Sequence, residues 1–150
     1  MGPPTIRSWQ DLEVWQKAHE MTLRVYRRVH PFPPEERFRL TDPLCRAAAS
    51  IPTNIAEGKG RHALGDYLRF LCIARGSTAE VQYLLRLAHD LGYLSKSEYE
   101  EFVRGYDIVG KMLNRLMAAL RRRHPNTQHP TPSTQHLTPN SEDSHDRPHH

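Results

Sequence analysis

The chain is poor in most of the features that announce a chemistry. It has only two cysteines among 150 residues, Cys45 and Cys72, and both fall inside helical patterns. That excludes a disulfide framework and reads as a pair of reduced thiols in or near a core. No run of 18 apolar residues occurs, so no membrane-spanning helix is expected. The first residues lack a signal-peptide core. Gly2 is followed by Pro3, and Ile6 stands where myristoylation asks for Ser or Thr. Zinc-finger spacing, an aromatic RNA-recognition motif and a Gly-rich phosphate loop are all missing, which removes support for base-specific readout. No stretch alternates as a strand does. The expectation is a soluble, cytoplasmic, all-α protein without membrane, metal or cofactor.

The last 27 residues lack something more basic. From residue 124 to 150 there are five prolines and six histidines, and Leu137 is the single large aliphatic. Such a stretch buries too little apolar surface to offset the entropy of ordering, and is expected to be a disordered tail. It is also short of positive charge, with Arg147 against Glu142, Asp143 and Asp146. The remaining 123 residues therefore carry a net charge of +6. A basic body points to an anionic partner, nucleic acid before membrane.

What is present is helical periodicity. Val14, Ala18, Met21 and Val25 form one stripe and Trp15, Thr22, Tyr26 and Val29 an adjacent one, on a first helix led in by Ser8 or Gln10 and ended by Pro31, Pro33 and Pro34. Glu35 to Leu40 allow a short turn. Thr41-Asp42-Pro43 then reads as a cap with proline opening a second helix. That helix carries Ser50-Ile51-Pro52-Thr53-Asn54-Ile55-Ala56-Glu57-Gly58. Pro52 should break it, at roughly 3 kcal/mol in a helix interior. Yet Leu44, Ala48, Ile51 and Ile55 keep helical spacing straight through the proline. The prediction is a kinked inner helix, with Ser50 re-satisfying the freed backbone and Gly58 or Gly60 as the stop.

A third helix from about Ala63 shows Tyr67, Phe70, Ala74, Ser77, Val81, Leu84, Ala88 and Leu91 at three-four spacing, flanked by Leu64, Leu68, Leu71, Thr78 and Leu85. Small residues Ala74, Gly76, Ser77 and Ala79 predict a close neighbour at its middle. Gly92 closes it, Ser95 caps the next helix, and Glu98 completes a capping box. The fourth helix repeats Tyr99, Phe102, Tyr106, Val109, Leu113, Leu116 and Leu120 and ends in Arg121-Arg122-Arg123. Four such helices with short links predict an antiparallel, up-down-up-down four-helix bundle over residues 8–123. The wide apolar stripes on helices one and three predict self-association.

Asp11-Leu12-Glu13-Val14-Trp15-Gln16-Lys17-Ala18-His19, the stretch from Ser50 to Gly58, Tyr67-Leu68-Arg69-Phe70-Leu71 and Asp90-Leu91-Gly92-Tyr93-Leu94 together resemble a known family. It is the four-helix bundle family of proteins encoded in intervening sequences of bacterial 23S rRNA genes. The similarity runs from about residue 8 to 120 in unbroken order, and the Ser-Ile-Pro-x-Asn-Ile-Ala-Glu-Gly element is its specific signature. Cys45-Arg46 stands where an Arg-Arg pair is usual, and Pro43 where Gln is common. The resemblance implies a homopentamer shaped as a short barrel, with no established enzymatic activity. It also implies kinship to the accessory protein of diversity-generating retroelements, a basic pentamer that binds nucleic acid and a reverse transcriptase.

The function expected is a non-enzymatic adaptor or scaffold that binds RNA or DNA through backbone electrostatics. The alternatives are a subunit that recruits a retroelement reverse transcriptase and a metal-dependent enzyme at Glu57, His62 and Asp66. Helical partners dilute several basic residues, namely Glu13–Lys17, Glu20–Arg24, Asp42–Arg46, Glu57–Arg61, Glu100–Arg104 and Asp107–Lys111. The candidates left for phosphate contact are Arg27, Arg28, Arg37, Arg39, Lys59, Arg69, Arg75, Arg121, Arg122 and Arg123. Arg27 and Arg28 are expected to join Arg37 and Arg39 as one basic end. Ser50, Pro52, Asn54, Glu57 and Gly58 are read as structural, with Asn54 and Glu57 supplying polar contacts that hold the kinked helix.

Overall fold

The computed structural model describes residue 2 and residues 5–124; the rest of the stretch read as a tail lies outside the described residues. A 3-10 turn (Trp9–Asp11) leads into α1 (Glu13–Arg28), followed by α2 (Asp42–Lys59), α3 (Leu64–Asp90) and α4 (Lys96–Arg123). No strand occurs among the described residues. Each helix packs on two neighbours in the ring α1–α2–α3–α4, and the short links make successive helices antiparallel. This is the up-down-up-down bundle that the periodicity predicts.

The core follows the stripes with adjustments: Tyr26 of α1 is exposed, Met117 rather than Leu116 is buried on α4, and the α3 seam is shifted. Val14, Ala18, Met21 and Val25 of α1 are buried, as are Leu44, Ala48, Ile51 and Ile55 of α2. On α4 the buried set is Phe102, Tyr106, Val109, Leu113 and Met117. On α3 the buried seam is Tyr67, Leu71, Ala74, Thr78, Val81, Leu85 and Ala88. Phe70, Ser77 and Leu84 are only half-buried, and Leu91 is exposed. The seam is rotated toward residues read as flanking, because α3 must serve both α2 and α4.

Pro52 is accommodated by side chains rather than by a break. α2 runs through it without interruption. A proline at this position leaves the Ala48 carbonyl without its amide donor. Thr22 of α1 reaches across, its Oγ1 donating to Ala48 O at 3.1 Å as well as to Ala18 O at 2.8 Å within its own helix. The next two carbonyls gain donors from α2 itself: Thr53 Oγ1 to Ala49 O at 2.8 Å and Asn54 Nδ2 to Ser50 O at 2.8 Å. Ser50 does not do the repair predicted for it. Its hydroxyl meets Ser77 Oγ of α3 at 2.8 Å and accepts from Asn54 Nδ2 at 3.0 Å. Asn54 thus holds the helix as expected, whereas Glu57 faces outward and pairs with Arg61.

The links show which turn signals carry through. Gly60 ends α2 in a right-handed conformation, while Gly58 is still inside the helix and buried. Gly58 serves close approach: a Cβ there would stand 2.9 Å from Phe70 Cβ and 3.0 Å from a ring carbon of Tyr67. The close neighbour predicted at the middle of α3 is met at Ala74, which is fully buried, and at Ser77, whose hydroxyl meets Ser50, but not at Gly76, where nothing lies within 4 Å of a built Cβ. Between α1 and α2 the chain makes a 3-10 turn (Pro34–Glu36) and a π-helical turn (Arg37–Thr41) that runs directly into α2. Thr41 is itself helical and its side chain makes no capping bond, so the predicted cap is not used. Past α3, Gly92 takes φ 86°, with Gly92 N–H donating to His89 O and Tyr93 N–H to Ala88 O, each at 2.9 Å. That is a Schellman ending. Ser95 then caps α4 through the predicted box with Glu98.

Candidate nucleic-acid interface

The two ends of the bundle differ in charge. One end holds the α1–α2 and α3–α4 links. There Arg27, Arg28, Arg37, Arg39, Arg86 and Lys96 face seven carboxylates, those of Glu35, Glu36, Asp42, Asp90, Glu98, Glu100 and Glu101. Most of these arginines are engaged. Arg28 donates through Nε to Glu98, through its terminal nitrogen to the other Glu98 oxygen at 3.2 Å, and to the Tyr93 carbonyl at 2.9 Å. Arg37 lies 3.9 Å from Asp42, and Arg39 3.4 Å from Glu36. The hydrogen bonds from Arg28, and then those from Ser95, hold the Glu98 carboxyl well below the usual range, at about 2. The basic end expected from Arg27, Arg28, Arg37 and Arg39 is therefore close to neutral, and Arg28 is a clamp between α1 and the start of α4.

The opposite end holds the start of α1, the α2–α3 link and the last turn of α4. Arg7, Lys59, Arg61, Arg69, Arg121, Arg122 and Arg123 outnumber Asp11, Glu13, Glu57 and Asp66. Its placement follows from the register of α3 on α4. Gln82 meets Asp107, Arg75 meets Asn114, and Cys72 lies 3.9 Å from Met117, so the last turn of α4 runs alongside the first turn of α3. Arg61 pairs with Glu57 at 3.3 Å and Arg69 with Asp66 at 4.0 Å, while both guanidinium groups stand within 5 Å of the Phe70 ring centre. Lys59, Arg121, Arg122 and Arg123 have no carboxylate partner among the described residues. Arg75 sits between the ends, 3.4 Å from Asn114.

The helical partners predicted to dilute the charge are only partly used. Glu20–Arg24 and Glu57–Arg61 form. Lys17, however, pairs with Glu20, Asp42 with Arg37 and Glu100 with Lys96, while Asp107 accepts from Gln82. Arg46, Arg104 and Lys111 are thereby left exposed, without a carboxylate partner among the described residues. Spacing alone missed them, since each carboxylate has several cations within reach along the chain and pairs with only one of them. Glu57 and Asp66 are taken by arginines, and no three potential ligands are gathered for a metal among the described residues.

The model of one protein family, described as 23S rRNA-intervening sequence protein, matches residues 10–115. The chain belongs to that family. Its matched region takes in α1, α2, α3 and most of α4. Among solved structures the chain is similar to a protein of unknown function from the S23 ribosomal protein family of Bacteroides thetaiotaomicron. The TM-score is 0.63 at 23% identity, covering 69% of this chain and 97% of that one. At that identity the likeness shows a shared fold. No curated protein matches the chain. No described helix of this 23S rRNA-intervening sequence protein is long and apolar enough to cross a membrane.

Proposed function

We propose that the protein is a non-enzymatic adaptor or scaffold that binds RNA or DNA through the phosphate backbone, working as a homopentamer. The observation that carries the reading is the open positive end, where Lys59 and Arg121, Arg122 and Arg123 stand without carboxylate partners among the described residues. Positive side chains already neutralised have few counterions to displace from phosphates, whereas unpaired ones bind and release them. Arg46, Arg104 and Lys111 extend the unpaired set along the outer faces of α2 and α4. Self-association is supported by exposed apolar side chains on three helices, among them Leu23 and Tyr26 of α1, Ile73 and Tyr83 of α3 and Ile108 of α4. A ring of five would multiply the local field and serve a polyanion better than one copy does.

The test is binding of a labelled RNA hairpin and a DNA duplex to the whole chain across a salt series, with the mass of the free protein recorded in the same buffers. Binding by a pentamer that weakens steeply with salt is expected. Absence of binding at low salt would sink the nucleic-acid reading and leave a platform for a protein partner, a reverse transcriptase being the one to try.

A further inference from the structure

The chain's only two tryptophans sit together at the open end, on the outer groove between α1 and α2. Trp9 packs edge-on to Trp15 with ring centres 4.7 Å apart, and His19 stacks on Trp15 at 4.9 Å. Together with Pro52, Thr53 and Ala56 of α2 they border an open cavity of about 440 Å³. Both tryptophans are only half-buried, and His19 is exposed. An aromatic cluster beside small residues is the kind of groove that receives an extended proline-rich segment, whose rings pack on aromatic side chains and whose backbone is already ordered before docking.

We infer that this groove is the docking site for the chain's own residues 130–139. That segment reads Pro-Thr-Pro-Ser-Thr-Gln-His-Leu-Thr-Pro, with prolines at 130, 132 and 139 and with Leu137. It contains no Asp, Glu, Lys or Arg, and neither do residues 125–129, so the segment itself brings no full charge out of water, and the one carboxylate lining the groove, Glu57, is already paired with Arg61. Its reach is right. Met21 lies against Gly105 and Arg28 against Glu98, which places Trp9 at the level of the last part of α4. The end of α4 is then one helix diameter and a few turns from the groove, roughly 20 Å. Six or seven extended residues span that at about 3.1 Å each, and residues 124–129 supply them. The docking does not depend on nucleic acid being the protein's ligand.

Because Trp9 and Trp15 are the only tryptophans, fluorescence of the whole chain reads the groove directly. The comparison is between the natural chain and a full-length variant carrying Pro130→Ser, Pro132→Ser and Leu137→Ser, with helicity and oligomer mass recorded for both. The variant is expected to show red-shifted emission and stronger quenching by acrylamide at unchanged helicity and mass. Equal quenching in the two chains would overturn the inference, whether the indoles are open in both or covered by a second copy. A photo-crosslinker placed at position 137 gives an independent reading. Crosslinks to peptides around Trp15 and Thr53 within one copy are expected. Crosslinks confined to α3 and α4, or formed only between differently labelled copies, would overturn it.

Discussion

Arginine does two jobs at the two ends of this bundle. At the linked end Arg28 is spent on structure, satisfying both Glu98 oxygens and the Tyr93 carbonyl and tying α1 to the start of α4. At the open end Arg121, Arg122 and Arg123 project from the final helical turn toward solvent. The residue type is the same, but the number of carboxylates within reach differs. Counting arginines therefore says little about which positive charges are free to meet an anion; counting those without an acid partner among the described residues says more.

The contrast is broken most strongly by charge reversal at the open end. Arg121→Glu, Arg122→Glu and Arg123→Glu together should lower affinity for an RNA hairpin by more than tenfold at low salt, and flatten the salt dependence by about two to three ion equivalents. Stability in urea should fall by about 1–2 kcal/mol, since acids oppose the negative end of α4, and equal affinity would show that the open end is not the contact. Midway between the ends, Thr22→Val leaves the buried Ala48 carbonyl without a donor and should cost about 1–3 kcal/mol in urea unfolding. At the linked end, Arg28→Ala should cost about 1–2 kcal/mol in the same assay, the value for bonds to a charged group reduced for partial exposure. The exposed Arg37→Ala change should stay within about 0.5 kcal/mol.

Acid sharpens the same comparison. Glu98 is held at about 2 in the fold against its ordinary 4.5. A carboxyl with a lowered value contributes stability that is full above about 4.5 and is lost as pH falls through about 2. Unfolding of the natural chain and of Glu98→Gln should therefore differ at pH 6 and converge toward pH 2. A difference independent of pH would mean that the Arg28–Glu98 clamp does not act through charge.

Much of the bundle could be read from spacing alone because helix periodicity and end signals are local. Gly92 with its positive φ, the Ser95–Glu98 box and the α4 seam all depend on residues within one or two turns. What escaped depends on distant partners. Thr22 meets Ala48 across 26 residues and Arg28 meets Glu98 across 70. The π-helical turn before α2 has no pattern of its own, and the rotation of the α3 seam reflects two neighbours competing for one helix. Lys59, Arg121, Arg122 and Arg123, which spacing left without helical partners, also lack a carboxylate partner among the described residues. Arg28, Arg37 and Arg39 are instead paired with acids, Arg28 with Glu98 across 70 residues and Arg37 and Arg39 with acids three to five residues away that a four-residue pattern does not single out.

The hydrogen bond from Thr22 to Ala48 also has a consequence for assembly order. Because Pro52 removes the donor inside α2, the Ala48 carbonyl is completed by another helix. An isolated α2 peptide lacks that donor, so the Ala48 carbonyl gains its partner only when α1 docks. The bond further acts as a register pin: sliding α1 by one turn would bring Ala18 or Tyr26 to that carbonyl, and neither has a hydroxyl at the β-carbon to offer. A single proline thus makes two neighbouring helices interdependent, and their amides should exchange with solvent as one cooperative unit.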